Sequence, residues 1–148
     1  MLRSTGAAVG LAALGVTTVG TAAAHFPEGL EFTVRTPGGD DTLRLDSETH
    51  LAVTVRPSEE FDPLAKQGRR IAERYRLGVS DVVAVDGAGA RPVTSFVGAD
   101  HADSGLTLVF PVEGTGLEAG DTEVELRWER GEVGAHHGLS GTASLTVE

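Results

Sequence analysis

From residue 30 onward, apolar and polar side chains alternate in short runs, the period of strands with one face turned inward. Leu30-Glu-Phe32-Thr-Val34-Arg and Leu51-Ala-Val53-Thr-Val55-Arg are the clearest cases. Leu43-Arg-Leu45 is a shorter one, set off by the turn Pro37-Gly-Gly-Asp-Asp. Further strands are predicted over residues 81–85, 93–97, 106–110, 122–128 and 142–147, separated by Gly-rich or acidic turns. Short strands at this spacing predict an all-β fold, an immunoglobulin-like β-sandwich of seven to eight strands. One segment departs from the pattern. Asp62-Pro63 reads as a helix start, and Leu64, Ile71 and Tyr75 recur at helical spacing, which predicts one short helix or ordered loop over residues 62–76. Gly68 weakens that helix by about 1 kcal/mol relative to Ala.

The chain begins differently. Arg3 precedes residues 6–20, which are uncharged, and Ala22 and Ala24 satisfy the small-residue rule for signal cleavage. The run falls short of the roughly 20 apolar residues needed to span a bilayer. Residues 1–24 are therefore expected to be a cleaved export signal, residues 25–148 one β-sandwich domain, and His25 the first mature residue. No membrane span is expected after cleavage, and the protein is expected to be secreted or held at the cell surface.

Composition narrows the partners. With 22 acidic and 12 basic side chains the formal charge is −10, which argues against nucleic acid and anionic lipid, both of which need basic surface. Eleven of the twelve basic residues are Arg, and acidic residues with almost no Lys suit a salt-loving organism. The chain holds no cysteine, which removes thiol catalysis, iron–sulfur clusters and cysteine zinc sites. Aromatics at 5% leave little for a sugar-stacking platform. Positive charge gathers in one place: Lys66, Arg69, Arg70, Arg74 and Arg76 lie within the predicted helical segment. They are either a solvated face pairing with the acidic body or a docking patch for an acidic partner.

Residues 51–148 resemble a β-sandwich module of secreted and cell-surface proteins of halophilic archaea. The matching stretches are LAVTVRPSEEFDP (51–63), RYRLG (74–78), FPVEGTGLEAGDTEVELRWE (110–129) and GLSGTASLTV (138–147). The resemblance implies an accessory or surface domain without catalysis of its own. Relatives carry an acidic Gly-rich turn before the strand at 106–110. Here Asp100 and Asp103 are its calcium candidates, although Ala102 interrupts the Asp-x-Asp-x-Asp-Gly ligand spacing.

The two ends resemble the small copper-binding sandwiches of the CopC type, which begin at a histidine exposed by signal cleavage. This chain offers His25 first and Ala135-His136-His137-Gly138 late, with Ala135 where that family has a carboxylate. A free N-terminal histidine chelates through its amine and Nδ1, and a second imidazole, from His136, His137, His101 or His50, would complete a set suited to Cu(II). Copper is thus the cofactor the chain would take, if it takes one.

Catalytic patterns are weak. Ser140 in Gly-Leu-Ser-Gly lacks the five-residue nucleophile elbow. Asp121/Glu123 and Glu129/Glu132 are carboxylate pairs that an acidic sandwich displays anyway. Asp86-Gly-Ala-Gly-Ala90 has no phosphate-loop spacing. The leading expectation is a non-enzymatic extracellular binding module whose partner is an envelope protein or surface glycan. The runner-up is a copper-handling protein using His25 with His136 or His137.

Overall fold

The computed structural model describes residues 25–65, 69–97 and 105–148. Among these residues nine strands form: β1 (Glu31–Arg35), β2 (Thr42–Leu43), β3 (His50–Arg56), β4 (Tyr75–Gly78), β5 (Thr94–Val97), β6 (Leu106–Pro111), β7 (Glu123–Glu129), β8 (Gly138–Ser144) and β9 (Thr146–Val147). One antiparallel sheet runs β1-β3-β6-β5 and the other β4-β7-β8, while β2 and β9 pair in parallel. This is the four-plus-three order of a constant-type immunoglobulin sandwich.

Alternation does in the four-stranded sheet what the sequence predicts. Phe32 and Val34 of β1, Leu51, Val53 and Val55 of β3, and Leu106, Leu108 and Phe110 of β6 all point inward. Register keeps them in layers, with Val34 opposite Val53 and Val53 opposite Leu108. A one-residue slip would turn each set to water, so this register is strongly specified. Tyr75 and Leu77 of β4, Val124, Leu126 and Trp128 of β7, and Leu139 of β8 form the opposing layer of one common core. Phe61 closes one end against Trp128, with ring centroids 4.8 Å apart at 61°.

Two predicted elements are corrected. The segment expected as one short helix or ordered loop over 62–76 holds, among its described residues, a turn at Asp62, with Leu64 N–H donating to Asp62 Oδ1 at 2.9 Å, and a single 3-10 turn at Ala72–Arg74. Ile71 stays exposed, and Tyr75-Arg-Leu77-Gly becomes the central-length strand β4, because Tyr75 and Leu77 bury against Trp128 and Leu126. Packing has overridden the helical spacing. Conversely, the predicted strand at 81–85 overlaps an α-helical turn, α1 (Ser80–Val83). Its end is captured by the guanidinium of Arg76, whose Nη1 donates to the carbonyls of Val83 at 2.9 Å and Ala88 at 2.6 Å. Backbone acceptors that a strand would spend on a neighbour are used here on a buried cation.

The expected last strand, 142–147, is divided at Leu145: β8 pairs with β7 up to Ser144, whereas Thr146 and Val147 pair with β2. No helix of the described residues is long and apolar enough to cross a membrane. The expected signal at 1–24, Lys66, and the Asp100–Asp103 turn with His101 lie outside the described residues.

Candidate functional site

The chain from His25 to Leu30 lies along the open edge of β8. Gly138 N–H donates to His25 O, Ser140 N–H to Pro27 O, and both Gly29 and Leu30 N–H to Ser140 O. Ser140 Oγ donates to Phe26 O at 2.7 Å and is buried. Glycine makes the approach possible. A Cβ on Gly141 would sit 2.3 Å from Leu30 O, and one on Gly138 only 1.7 Å from Trp128 O.

This docking carries His25 to the loop between β7 and β8. His25 and His136 line one pocket of about 170 Å³ together with Phe26, Ala84, Asp86 and Arg127. His136 Nδ1 lies 3.1 Å from Asp86 Oδ2, and both side chains are largely solvent-exposed. The carboxylate absent at position 135 thus arrives from the turn after α1, a residue the sequence pattern gave no reason to connect with the histidines. His137 does not line that pocket; it shares with His136 the adjoining groove of the 130–137 loop. His50 sits on β3, in the other sheet, with Nδ1 2.9 Å from Thr49 Oγ1. Among the described residues no group of three or more His, Asp and Glu is arranged to hold a metal ion. What the pocket supplies is two imidazoles, one of them oriented by a carboxylate.

The basic segment divides. Arg76 is corrected from a surface contact to a core residue: its side chain is 1% exposed and faces Glu129, with Nε 3.4 Å from Oε2. Glu129, wholly buried, also accepts from Arg91 Nη1 at 2.5 Å and from Gly134 N–H at 3.2 Å. Burial pushes the Arg76 pKa down, and the Glu129 charge opposes that shift. Arg69 is half-buried, its guanidinium 5.1 Å from the Phe61 ring centroid and 5.9 Å from that of Trp128. Arg130 approaches Trp128 as well, at 5.7 Å. Arg74 Nη2 donates to Gly131 O and Arg70 Nε to Leu64 O. Three arginines, Arg69, Arg74 and Arg130, therefore gather about Trp128 and the turn that follows it, and Arg70 and Arg130 remain exposed.

Tyr75 belongs to the same end of the molecule. Its hydroxyl donates to Arg69 O at 2.7 Å, tying the basic segment to β4, and burial pushes its pKa well above the ordinary phenol value. Arg130 escaped the sequence reading because it is remote in the chain from the basic run. The only available signal was its position two residues beyond Trp128, which has meaning once β7 is known to end beside residues 69–74.

Comparison with known proteins adds no relative: no protein-family model, curated protein or solved structure matched the chain.

Proposed function

We propose that the protein acts outside the cell or at its surface as a non-catalytic binding module, with residues 1–24 serving as its export signal. The observation that carries this reading is the arginine cluster on a chain of net charge −10. Arg70 and Arg130 stay exposed beside Arg69 and Arg74, which the fold holds in place through Trp128, Phe61 and Gly131 O. A fixed cationic patch on an acidic body steers an acidic partner to one orientation while the rest of the surface repels it. An envelope protein or a carboxylated surface glycan has the matching chemistry. The buried carboxylates are engaged structurally, Glu125 with Arg127 at 2.6 Å and Glu129 with Arg76 and Arg91, which supports a role without acid–base chemistry.

Retention on an immobilised carboxylated polysaccharide tests this. A protein of this charge should flow through unless the patch acts locally. The expected result is retention at low salt, lost as salt rises, and weakened roughly tenfold by Arg70→Glu with Arg130→Glu, a change of about 1.4 kcal/mol. Flow-through of the wild type, or equal retention of the double variant, would remove the reading.

A second reading, copper binding, is favoured by the shared His25–His136 pocket. After cleavage before His25, its amine and imidazole would hold Cu(II), with His136 contributing through Nε2 while Asp86 engages Nδ1. Titration of Cu(II) into protein beginning at His25 should give one tight site. An added N-terminal Ala or His136→Ala should abolish it, and Asp86→Asn should weaken it. Equal affinity across these variants would exclude the site.

A further inference from the structure

β5 is the last strand of its sheet, and among the described residues no strand pairs with its outer side. Its residues and the one before it, Val93-Thr-Ser-Phe-Val97, carry no charge, and Val93, Phe96 and Val97 are 61%, 55% and 46% exposed. The opposite edge of the same sheet is built differently. β1 presents Glu31, Thr33 and Arg35 to solvent, the charged edge by which sheet proteins block further pairing. β5 lacks that protection.

We propose that β5 is a self-pairing edge through which two copies of this chain associate, antiparallel and centred on Ser95. The unpaired backbone calls for a strand as occupant, since only a strand satisfies a row of edge N–H and C=O groups. The sequence of the edge selects a second copy. In an antiparallel pair related by a two-fold axis through Ser95, directly opposed residues share a face. Val93 then meets Val97 of the second copy, Thr94 meets Phe96, and Ser95 meets itself. The strand is its own uncharged complement, with an apolar Val93–Val97 contact at each end. Ser95 and Val97 already pair with Leu108 and Leu106, on the inner face, and Thr94 and Phe96 pair with Val109 and Thr107, on the outer face. The pairing therefore extends both faces of the sheet in register and joins two four-stranded sheets into one of eight.

Charge favours the same site. Two chains of net charge −10 repel over most of their surfaces, and an uncharged strip is where they approach at least cost. Association should accordingly strengthen with salt, which screens the remaining repulsion. An edge this short buries less than the roughly 1,200 Å² of a stable interface, so the pair is weak and depends on concentration. The inference is independent of the arginine cluster, which lies on the other sheet's side of the molecule at the end of β7.

Sedimentation velocity on the full domain, from about 10 μM to about 1 mM in low and high salt, reads the association. A monomer–dimer shift that grows with salt is expected, and Phe96→Lys or Val97→Lys, both at exposed positions, should abolish it while leaving the circular dichroism unchanged. The chain has no cysteine, so Ser95→Cys gives a direct test of register. Opposed Cα atoms lie about 4.5–5.5 Å apart in such a pair, within disulfide range. Ser95→Cys should cross-link on mild oxidation much faster than Thr33→Cys on β1. A monomer at every concentration, a dimer indifferent to Phe96→Lys and Val97→Lys, or equal cross-linking from position 33 would each overturn the proposal.

Discussion

The outer face of the four-stranded sheet carries Thr33, Thr54, Thr107 and Phe96 in one cross-strand row turned to solvent. The outer face of the three-stranded sheet instead carries Arg76, Arg127, Glu125 and Glu129, and it is covered. Phe26 lies over that face with its ring centroid 4.7 Å from the Arg127 guanidinium and 5.7 Å from that of Arg76. α1 and the turn after it close the remainder. One sheet leaves a row of threonines open to water between exposed charges at its ends, and the other hides charges beneath an aromatic ring and a helical turn. The difference teaches where charge in this acidic chain is structural. Arg76 and Arg127 stand directly opposite one another on neighbouring strands, an arrangement that is unfavourable alone. It is sustained because Glu125 and Glu129 lie within the same layer.

Breaking that layer should give the largest effect. Glu129→Ala leaves Arg76 buried without its counter-charge and is expected to cost about 3–5 kcal/mol, read as a shift in the urea midpoint. The matched disruption of the other sheet is Leu108→Ala, a wholly buried apolar truncation expected to cost about 2–5 kcal/mol. Comparable losses by unrelated routes, electrostatic in one sheet and packing in the other, would uphold the contrast. A negligible Glu129→Ala effect would mean that the charged layer contributes no more than a solvated face. Gly138→Ala tests the close approach at the start of β8. Its new methyl meets Trp128 O, and roughly 1–3 kcal/mol should be lost.

The alkaline response separates the sheets again. Burial raises the pKa of Tyr75, the only tyrosine, above its unfolded value of about 10. The stability this group contributes is therefore fully present below about pH 10 and declines as pH rises further, because the unfolded chain releases the proton first. Unfolding midpoints should fall on that limb, and Tyr75→Phe should flatten it. The smallest effect is expected on the open face, where Thr54→Val should change stability by no more than about 0.5 kcal/mol.

How much was legible follows the same division. β1, β3 and β6 read directly from the sequence because one face of each meets water, and alternation records that boundary. β4 did not, since all four of its residues are buried, Arg76 among them, and a strand covered on both faces has no alternating signature. Its tyrosine fitted a helical spacing with Leu64 and Ile71 until Trp128 was placed opposite it. The run at 81–85 is apolar enough for a strand, yet Val85 is 61% exposed and α1 buries only Val83. Among the candidate contacts, Arg69, Arg70 and Arg74 could be gathered from proximity in the chain, but Arg130 could not. Nor could the pairing of His136 with Asp86, fifty positions earlier, whereas His25 beside His136 was expected only from the resemblance of the two ends to a known family.

The sequence alone determined the class of fold, the strands with one wet face, the acidic character and the unusual concentration of arginine near residue 70. These depend on local periodicity and composition, which need no knowledge of neighbours. The tertiary structure alone decided which arginines remain available, which carboxylate meets His136 and which edge is left open among the described residues. Each of these is fixed by tertiary packing: Glu129 draws Arg76 inward, the turn after α1 brings Asp86 to His136, and among the described residues the end of the sheet leaves β5 unpaired.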